Sequence, residues 1–170
     1  MKISIALATY NGTRYLREQL DSFVAQSRPP DELVITDDNS TDDTISIIKS
    51  FASQAPFEIR YSVNEKNIGY TANFERAIQQ CTGDLIFLSD QDDIWLPEKI
   101  ARIEAEFEQN PAALLIMCDA LLVYADGSQN PIYQPESNDC IGAHRSSICY
   151  RVLYGISKNI DAFIVTYTYR

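Results

Sequence analysis

Three apolar runs, each ending in a polar cluster, constrain the fold of this 170-residue chain more than any other feature. They are "ISIALA" (3–8) before "TYNG", "ELVIT" (32–36) before "DDNSTDD", and "DLIFLS" (84–89) before "DQDD". A strand that is apolar along its length, without strict alternation, is one covered on both faces, as in a parallel sheet. Helical spacing fills the intervals between them. Leu16, Leu20, Phe23 and Val24 recur on one stripe, closed by Pro29-Pro30. Ser40 and Asp43 have capping-box spacing for a helix carrying Ile45, Ile48 and Ala52. Phe74, Ala77, Ile78 and Cys81 form a third stripe, with Gly83 at its stop. Pro97 sits in the first turn of a fourth helix that buries Ile100, Ile103 and Phe107 and ends at Asn110-Pro111.

"FEIRYSV" (57–63) alternates strictly, so its strand is less enclosed than the others. "ALLIMCDALLVY" (113–124) reads as one further strand, and Asp126-Gly127 as a hairpin-type turn. The order βαβαβαβαβ implies an α/β fold: an open, mostly parallel sheet with helices on both faces. Ligands in such sheets bind beyond the carboxyl ends of the strands. The three polar clusters therefore converge on one edge, far apart though they are in sequence.

With 45% hydrophobic and 22% charged residues the chain has ordinary globular composition, and its length suits one domain. A net charge of -10 argues against duplex nucleic acid, which wants clustered Lys and Arg. It is compatible with a small phosphorylated ligand held through a divalent ion. The four cysteines, Cys81, Cys118, Cys140 and Cys149, have no C-x-x-C spacing and read as reduced intracellular thiols. "ISIALA" is too short for a secretory apolar region, and no run approaches the ~20 apolar residues of a membrane span. A cytoplasmic location follows, with peripheral association at the inner face of a membrane left open. Beyond about residue 130 only "DAFIVTYTY" is clearly strand-prone.

The run "SDQDDIW" places Asp90, Asp92 and Asp93 within four positions directly after a buried strand. Bare, these carboxylates repel. Hard oxygen ligands at a strand end suit Mg²⁺ or Mn²⁺, which take one or two carboxylates plus substrate phosphates. Asp90 and Asp92 lean to one side of an extended segment while Asp93 points elsewhere. The plainer reading is a solvated acidic turn with Asp93 capping the next helix. An EF-hand loop is excluded, since Trp95 and Ala101 stand where Gly and Glu are needed. No G-x-G-x-x-G follows the first strand and no G-x-x-x-x-G-K-[ST] is present. A phosphoacceptor receiver would carry acids after the first strand, where this chain has "TYNG".

Taken in order, "ISIALATYNGTRYLREQLDSFVAQS", "ELVITDDNSTDDT", "NEKNIGYTANFERAI" and "GDLIFLSDQDDIWLPEKI" resemble glycosyltransferase family 2, over roughly residues 3–125. The resemblance implies the GT-A nucleotide-sugar fold and inverting transfer. "SDQDDIW" with "GYTANF" is most similar to bacterial rhamnosyltransferases of surface polysaccharide synthesis, which implies dTDP-rhamnose, or else a UDP-sugar, as donor and a glycan or lipid-linked glycan as acceptor. It also implies that Ala8, Thr9 and Tyr10 line the base and ribose pocket and that Asp38 accepts the N3–H of a pyrimidine. Asn67, Gly69 and Asn73 would pass beside the diphosphate. Asp90 would hold the ribose and Asp92 the Mg²⁺ or Mn²⁺. Helix capping is the competing reading for Asp37 and Asp38, a solvated helix face for Glu18, and a core position for Trp95.

The chain departs from the family where the catalytic base is expected, in an acidic motif beyond position 170. "DCIGAHRSSIC" matches the acceptor side poorly, and Asp139, Asp161 and His144 stand in no recognisable motif, so no base is assigned. Residues 1–125 are read as the nucleotide-sugar-binding domain and 126–170 as the start of a divergent or truncated acceptor-side region. Two other functions stay open: a non-catalytic relative that binds metal and nucleotide, and a nucleotidyltransferase, which would want a Gly-rich basic loop in place of "TYNGTRY".

Overall fold

The computed structural model describes residues 1–118, 121–123, 128–131 and 162–166. Strands and helices alternate through β1 (Ile3–Thr9), α1 (Leu16–Val24), β2 (Glu32–Asp37), α2 (Thr44–Ala52), β3 (Glu58–Val63), α3 (Tyr70–Gln80), β4 (Leu85–Ser89), α4 (Lys99–Gln109) and β5 (Leu115–Cys118). Three short strands follow: β6 (Leu121–Val123), β7 (Gln129–Pro131) and β8 (Ala162–Thr166). Six strands form one sheet in the order β3-β2-β1-β4-β8-β5, and all its pairings are parallel. The chain builds outward from β1 to β3, then returns to add β4 on the other side of β1. That reversal opens a crevice at the carboxyl ends of β1 and β4.

Alternation along the buried strands sorts the core into two layers. Ile3, Ile5, Leu7, Leu33, Ile35, Leu85 and Phe87 face α1, α2 and α4, which contribute Leu16, Leu20, Phe23, Ile48, Phe51, Ile100, Ile103 and Phe107. Ala6, Ala8, Ile86 and Leu88 face α3 through Phe74, Ala77 and Ile78. The small Ala6 and Ala8 let α3 lie close on β1 and β2, bringing its N-terminus to the crevice. β3 is the outer strand and less enclosed than its neighbours, but its alternation does not sort inside from outside, since Tyr61 and Val63 on its apolar face are 41% and 47% exposed.

Several local expectations are corrected. Val24 is exposed, and the buried face of α1 is made by Leu16, Leu20 and Phe23 with the polar Gln19 and Ser22. The Ser40–Asp43 capping box does not form: Asp43 makes no side-chain cap bond, Asp42 accepts from the Thr44 amide (3.1 Å), and Ser40 serves the buried Asp37 instead. Gly83 does not stop α3, which ends at Gln80 with Cys81 already extended. Gly83 is needed for close packing, since a Cβ there would lie 2.8 Å from the Lys2 carbonyl oxygen and the Ser4 nitrogen. Pro97 precedes α4 rather than entering it, and its carbonyl accepts from the Ser27 amide. The apolar run 113–124 is not one strand: β5 joins the main sheet and β6 pairs antiparallel with β7. A run of that length exceeds the usual strand, and apolarity alone does not report where the chain leaves a sheet. The "DAFIVTYTY" segment supplies β8, between β4 and β5. Cys81 and Cys118 are free thiols. Asp126-Gly127, Asp139, Cys140, His144, Cys149 and Asp161 lie outside the described residues.

At the amino end of the sheet Glu32 is fully buried and accepts from Ser4 Oγ (2.5 Å), the Thr82 amide (2.6 Å) and Arg60 Nη2 (2.7 Å). Burial opposes its charge, but these donors prevail and hold the carboxyl at about 2, below its ordinary 4.5. A carboxyl depressed in this way stabilises the fold above its unfolded pKa, and the contribution fades as pH falls through the folded value. Glu32→Gln is therefore expected to lower unfolding free energy by about 2 kcal/mol at neutral pH. The gap to wild type should close as pH drops from 4.5 towards 2, read by denaturant unfolding across that range.

Candidate active site

At the crevice the three strand ends and the start of α3 enclose a cavity of about 290 Å³. All nine residues singled out from the sequence line it: Ala8, Thr9 and Tyr10 after β1, Asp38 after β2, Asn67, Gly69 and Asn73 around the start of α3, and Asp90 and Asp92 after β4. Tyr70, Phe74 and Gln91 complete the wall. Sequence reasoning missed these three, although Tyr70 and Phe74 lie inside the quoted "GYTANF" and Gln91 inside "DQDD". Glu18 is exposed on α1. Trp95 is buried, its ring 4.8 Å from Phe23 and 5.5 Å from Phe87, so it belongs to the core.

Asp37 and Asp38 are adjacent on an extended backbone, so their side chains leave in opposite directions. Asp37 accepts from Thr9 Oγ1 (2.8 Å), the Ser40 amide (2.8 Å) and Ser40 Oγ (2.6 Å), closing its own turn onto β1. Asp38 is 2% exposed and reaches the segment before α3. Its Oδ1 accepts from Asn64 Nδ2 (2.8 Å) and the Ile68 amide (2.8 Å), and its Oδ2 from the Gly69 amide (2.9 Å). Neither carboxylate caps α2. Gly69 has φ +85° and ψ 154°, a conformation that a side chain strains, and a Cβ there would meet open space. Asn73 spends its amide inside the protein: Nδ2 donates to the Thr36 carbonyl (2.8 Å) and Oδ1 accepts from Asn64 (2.9 Å).

The loop after β1 is stitched to the loop after β2. The amides of Asn11, Gly12 and Thr13 donate to Ser40 Oγ, Thr44 Oγ1 and Asp42 Oδ2 at 2.8, 2.7 and 3.1 Å. Consecutive free amides make a phosphate nest; these are already engaged. That removes the structural basis for a nucleotidyltransferase phosphate loop here. Gln91 ties the same loop to β4, donating to the Tyr10 carbonyl (3.0 Å) and accepting from the Tyr10 amide (2.9 Å).

On the opposite wall, Asp90 keeps a solvent-facing edge, yet burial and the neighbouring Asp92 charge raise its carboxyl to about 6. A raised carboxyl beside a second carboxylate is a donor set whose repulsion a divalent cation relieves. Asp93 lies outside the cavity, 3% exposed and within electrostatic reach of Lys99. Among the described residues no group of three or more His, Cys, Asp or Glu side chains is gathered for a metal. An ion here would complete its shell with water and ligand oxygens, which fits Mg²⁺ or Mn²⁺.

Comparison with known proteins decides the family. The model of "Glycosyl transferase family 2" matches residues 4–169, well past the last quoted motif. The chain belongs to glycosyltransferase family 2. The uncharacterized protein Rv1520 of Mycobacterium tuberculosis is 33% identical over 137 residues, covering 79% of this chain and 40% of that protein. The dTDP-rhamnosyl transferase RfbG of Shigella flexneri is 40% identical over 99 residues, covering 55% and 34%. Among solved structures, S. aureus TarS 1–349 in complex with UDP-GlcNAc superposes with TM-score 0.63 at 28% identity, covering 69% of this chain and 34% of that one. This family 2 chain thus spans at most about 40% of the length of these relatives. The sheet order and two-sided helix layers are those of the GT-A glycosyltransferase fold. Among the described residues no helix is long and apolar enough to cross a membrane.

Because Asp38 supplies the acceptors for two consecutive amides, Asp38→Ala should release the segment before α3. Amide hydrogen exchange at Ile68 and Gly69 is expected to speed up by roughly tenfold or more, the size of one buried charged hydrogen bond. Unchanged protection would mean that α3 alone holds the segment.

Proposed function

We propose that this chain binds a pyrimidine nucleoside diphospho-sugar with Mg²⁺ or Mn²⁺ in the strand-end cavity, as the donor side of an inverting glycosyltransferase. The supporting observation is the convergence of nine motif residues from four separate segments on one cavity, with an acceptor carboxylate at one end and two at the other. Asp38 Oδ2 has one acceptor position beyond its Gly69 bond, and a pyrimidine N3–H fits it. Ala8, Thr9 and Tyr10 form the base and ribose wall, and Tyr10 is 47% exposed, open to a stacking partner. Asn67 and Gly69 flank the diphosphate path. Asn73 acts by holding that segment to β2, since its amide is already engaged. Asp90 takes the ribose hydroxyls.

Asp92, with water, would hold the divalent ion, which would supply neutralising charge for the departing diphosphate. The chain's own part is to orient the donor and keep the anomeric carbon exposed to an acceptor hydroxyl for direct displacement. The likeness to RfbG favours dTDP-rhamnose as donor and a surface-polysaccharide glycan as acceptor, while the likeness to TarS keeps a UDP-sugar in contention. The location proposed is cytoplasmic, with any membrane attachment peripheral.

Calorimetry with Mn²⁺ and dTDP tests the site. Wild type should bind, and Asp92→Asn should weaken binding at least about tenfold, as loss of a charged ligand contact does. Chelating the metal should mimic the substitution. Metal-independent affinity, equal in both proteins, would return Asp92 to a solvated turn. Competition among dTDP-rhamnose, UDP-GlcNAc and GDP-mannose ranks the donors, with dTDP-rhamnose expected first.

A further inference from the structure

We propose that Asn64, at the end of β3 and behind the cavity wall, is a positioning residue that keeps Asp38 an acceptor-only contact and so sets which nucleobases the cavity admits. The inference rests on the reading of the cavity as a nucleotide site. Asn64 is 4% exposed and does not line the cavity. Its backbone amide and both side-chain polar atoms are used. Its backbone amide donates to the Asp37 carbonyl (2.8 Å). Its side-chain Nδ2 donates to Asp38 Oδ1 (2.8 Å) and to Asn73 Oδ1 (2.9 Å). Its Oδ1 accepts from Arg76 Nη1 (2.7 Å). A guanidinium can only donate, so Arg76 fixes the amide with its oxygen outward and both hydrogens aimed at Asp38 and Asn73.

The valences of the cluster then decide what a ligand meets. Asp38 Oδ1 is full, with Asn64 and the Ile68 amide. Oδ2 holds the Gly69 amide and has one position left, an acceptor. Asn73 Nδ2 reaches the Thr36 carbonyl at 2.8 Å and the Thr9 carbonyl at 3.4 Å, so it presents no donor to the cavity. A base offering a ring N–H is matched there; one offering a bare ring nitrogen puts lone pair against lone pair. Uracil, thymine and guanine belong to the first class, cytosine and adenine to the second.

Asn64→Asp is nearly isosteric and removes both donors. Two carboxylates at hydrogen-bonding distance repel, so Asp38 either turns its acceptor away from the cavity or takes a proton on Oδ2, where it can donate to a bare ring nitrogen; both weaken the preference for a ring N–H. UDP and CDP differ only on the base edge in question, so their affinity ratio, measured by calorimetry with Mn²⁺, reads the effect. Wild type should favour UDP by roughly tenfold or more, the size of one charge-assisted hydrogen bond. In Asn64→Asp the ratio should fall towards unity, with Mn²⁺–pyrophosphate affinity unchanged. Asn64→Ser keeps one short donor and should fall between; it also serves if Asn64→Asp does not fold, as judged by circular dichroism. A folded Asn64 variant that retains the wild-type ratio, losing only thermal stability, would reduce Asn64 to a structural role. A wild type that binds UDP and CDP alike would overturn the base contact at Asp38 itself, and this inference with it.

Discussion

Two neighbouring carboxylates at the end of β2 hold the functional edge of this protein together. A parallel sheet delivers its strand ends to one side, but it does not hold the loops that follow them. Asp37 binds its own turn and β1, and Asp38 binds the segment that leads into α3. Each buried charge is compensated by three donors, without which its burial would be costly. Because consecutive side chains on an extended chain point to opposite sides, one "DD" pair clamps two different loops. The amides after β1 add a second set of ties, to Ser40, Thr44 and Asp42. Asp42 illustrates the strength of these contacts: burial opposes its charge, yet donors from Thr13 and Thr44 hold it at about 2.

The consequence for chemistry is a cavity whose walls differ in what they lack. The base side has its donors committed internally and leaves one acceptor. The β4 side carries two carboxylates, one raised to about 6, and wants a cation. Under the proposed reading, an anionic diphosphate entering a chain of net charge -10 would be brought to these carboxylates by the metal. This also separates the site from nucleotide folds that cradle phosphate on free amides, since those after β1 are occupied.

Much of this was legible in the sequence, for a definite reason. Apolar runs of strand length identify buried parallel strands, and parallel strands force their carboxyl ends together, so motifs 80 residues apart could be assigned to one edge. Partners across space were not legible. The spacing of Ser40 and Asp43 predicts a capping box, but spacing cannot show that the buried Asp37 has the stronger demand on the same serine. Asp38 reads as a base contact from its motif, and nothing local to it reveals that Ile68 and Gly69, thirty residues on, also depend on it. Asn64 opens the quoted "NEKNIGYTANF" segment, but no role follows from that position; its importance is the sum of four hydrogen bonds to four other residues. The place of β8 between β4 and β5 is likewise a long-range pairing that a strand-prone run does not encode.

The central claim is that the strand-end cavity holds a nucleoside diphosphate through a divalent ion at Asp92, with its base at Asp38. A crystal structure of the chain grown with Mn²⁺ and dTDP, with anomalous data collected at the manganese edge, tests it most directly. The account predicts an anomalous peak at about 2.1–2.2 Å from an Asp92 carboxylate oxygen, a distance near that of other small hard cations, shared with the diphosphate. It predicts the thymine N3 within hydrogen-bond distance of Asp38 Oδ2. Nucleotide bound in the cavity with manganese elsewhere, or with the base turned away from Asp38, would contradict it.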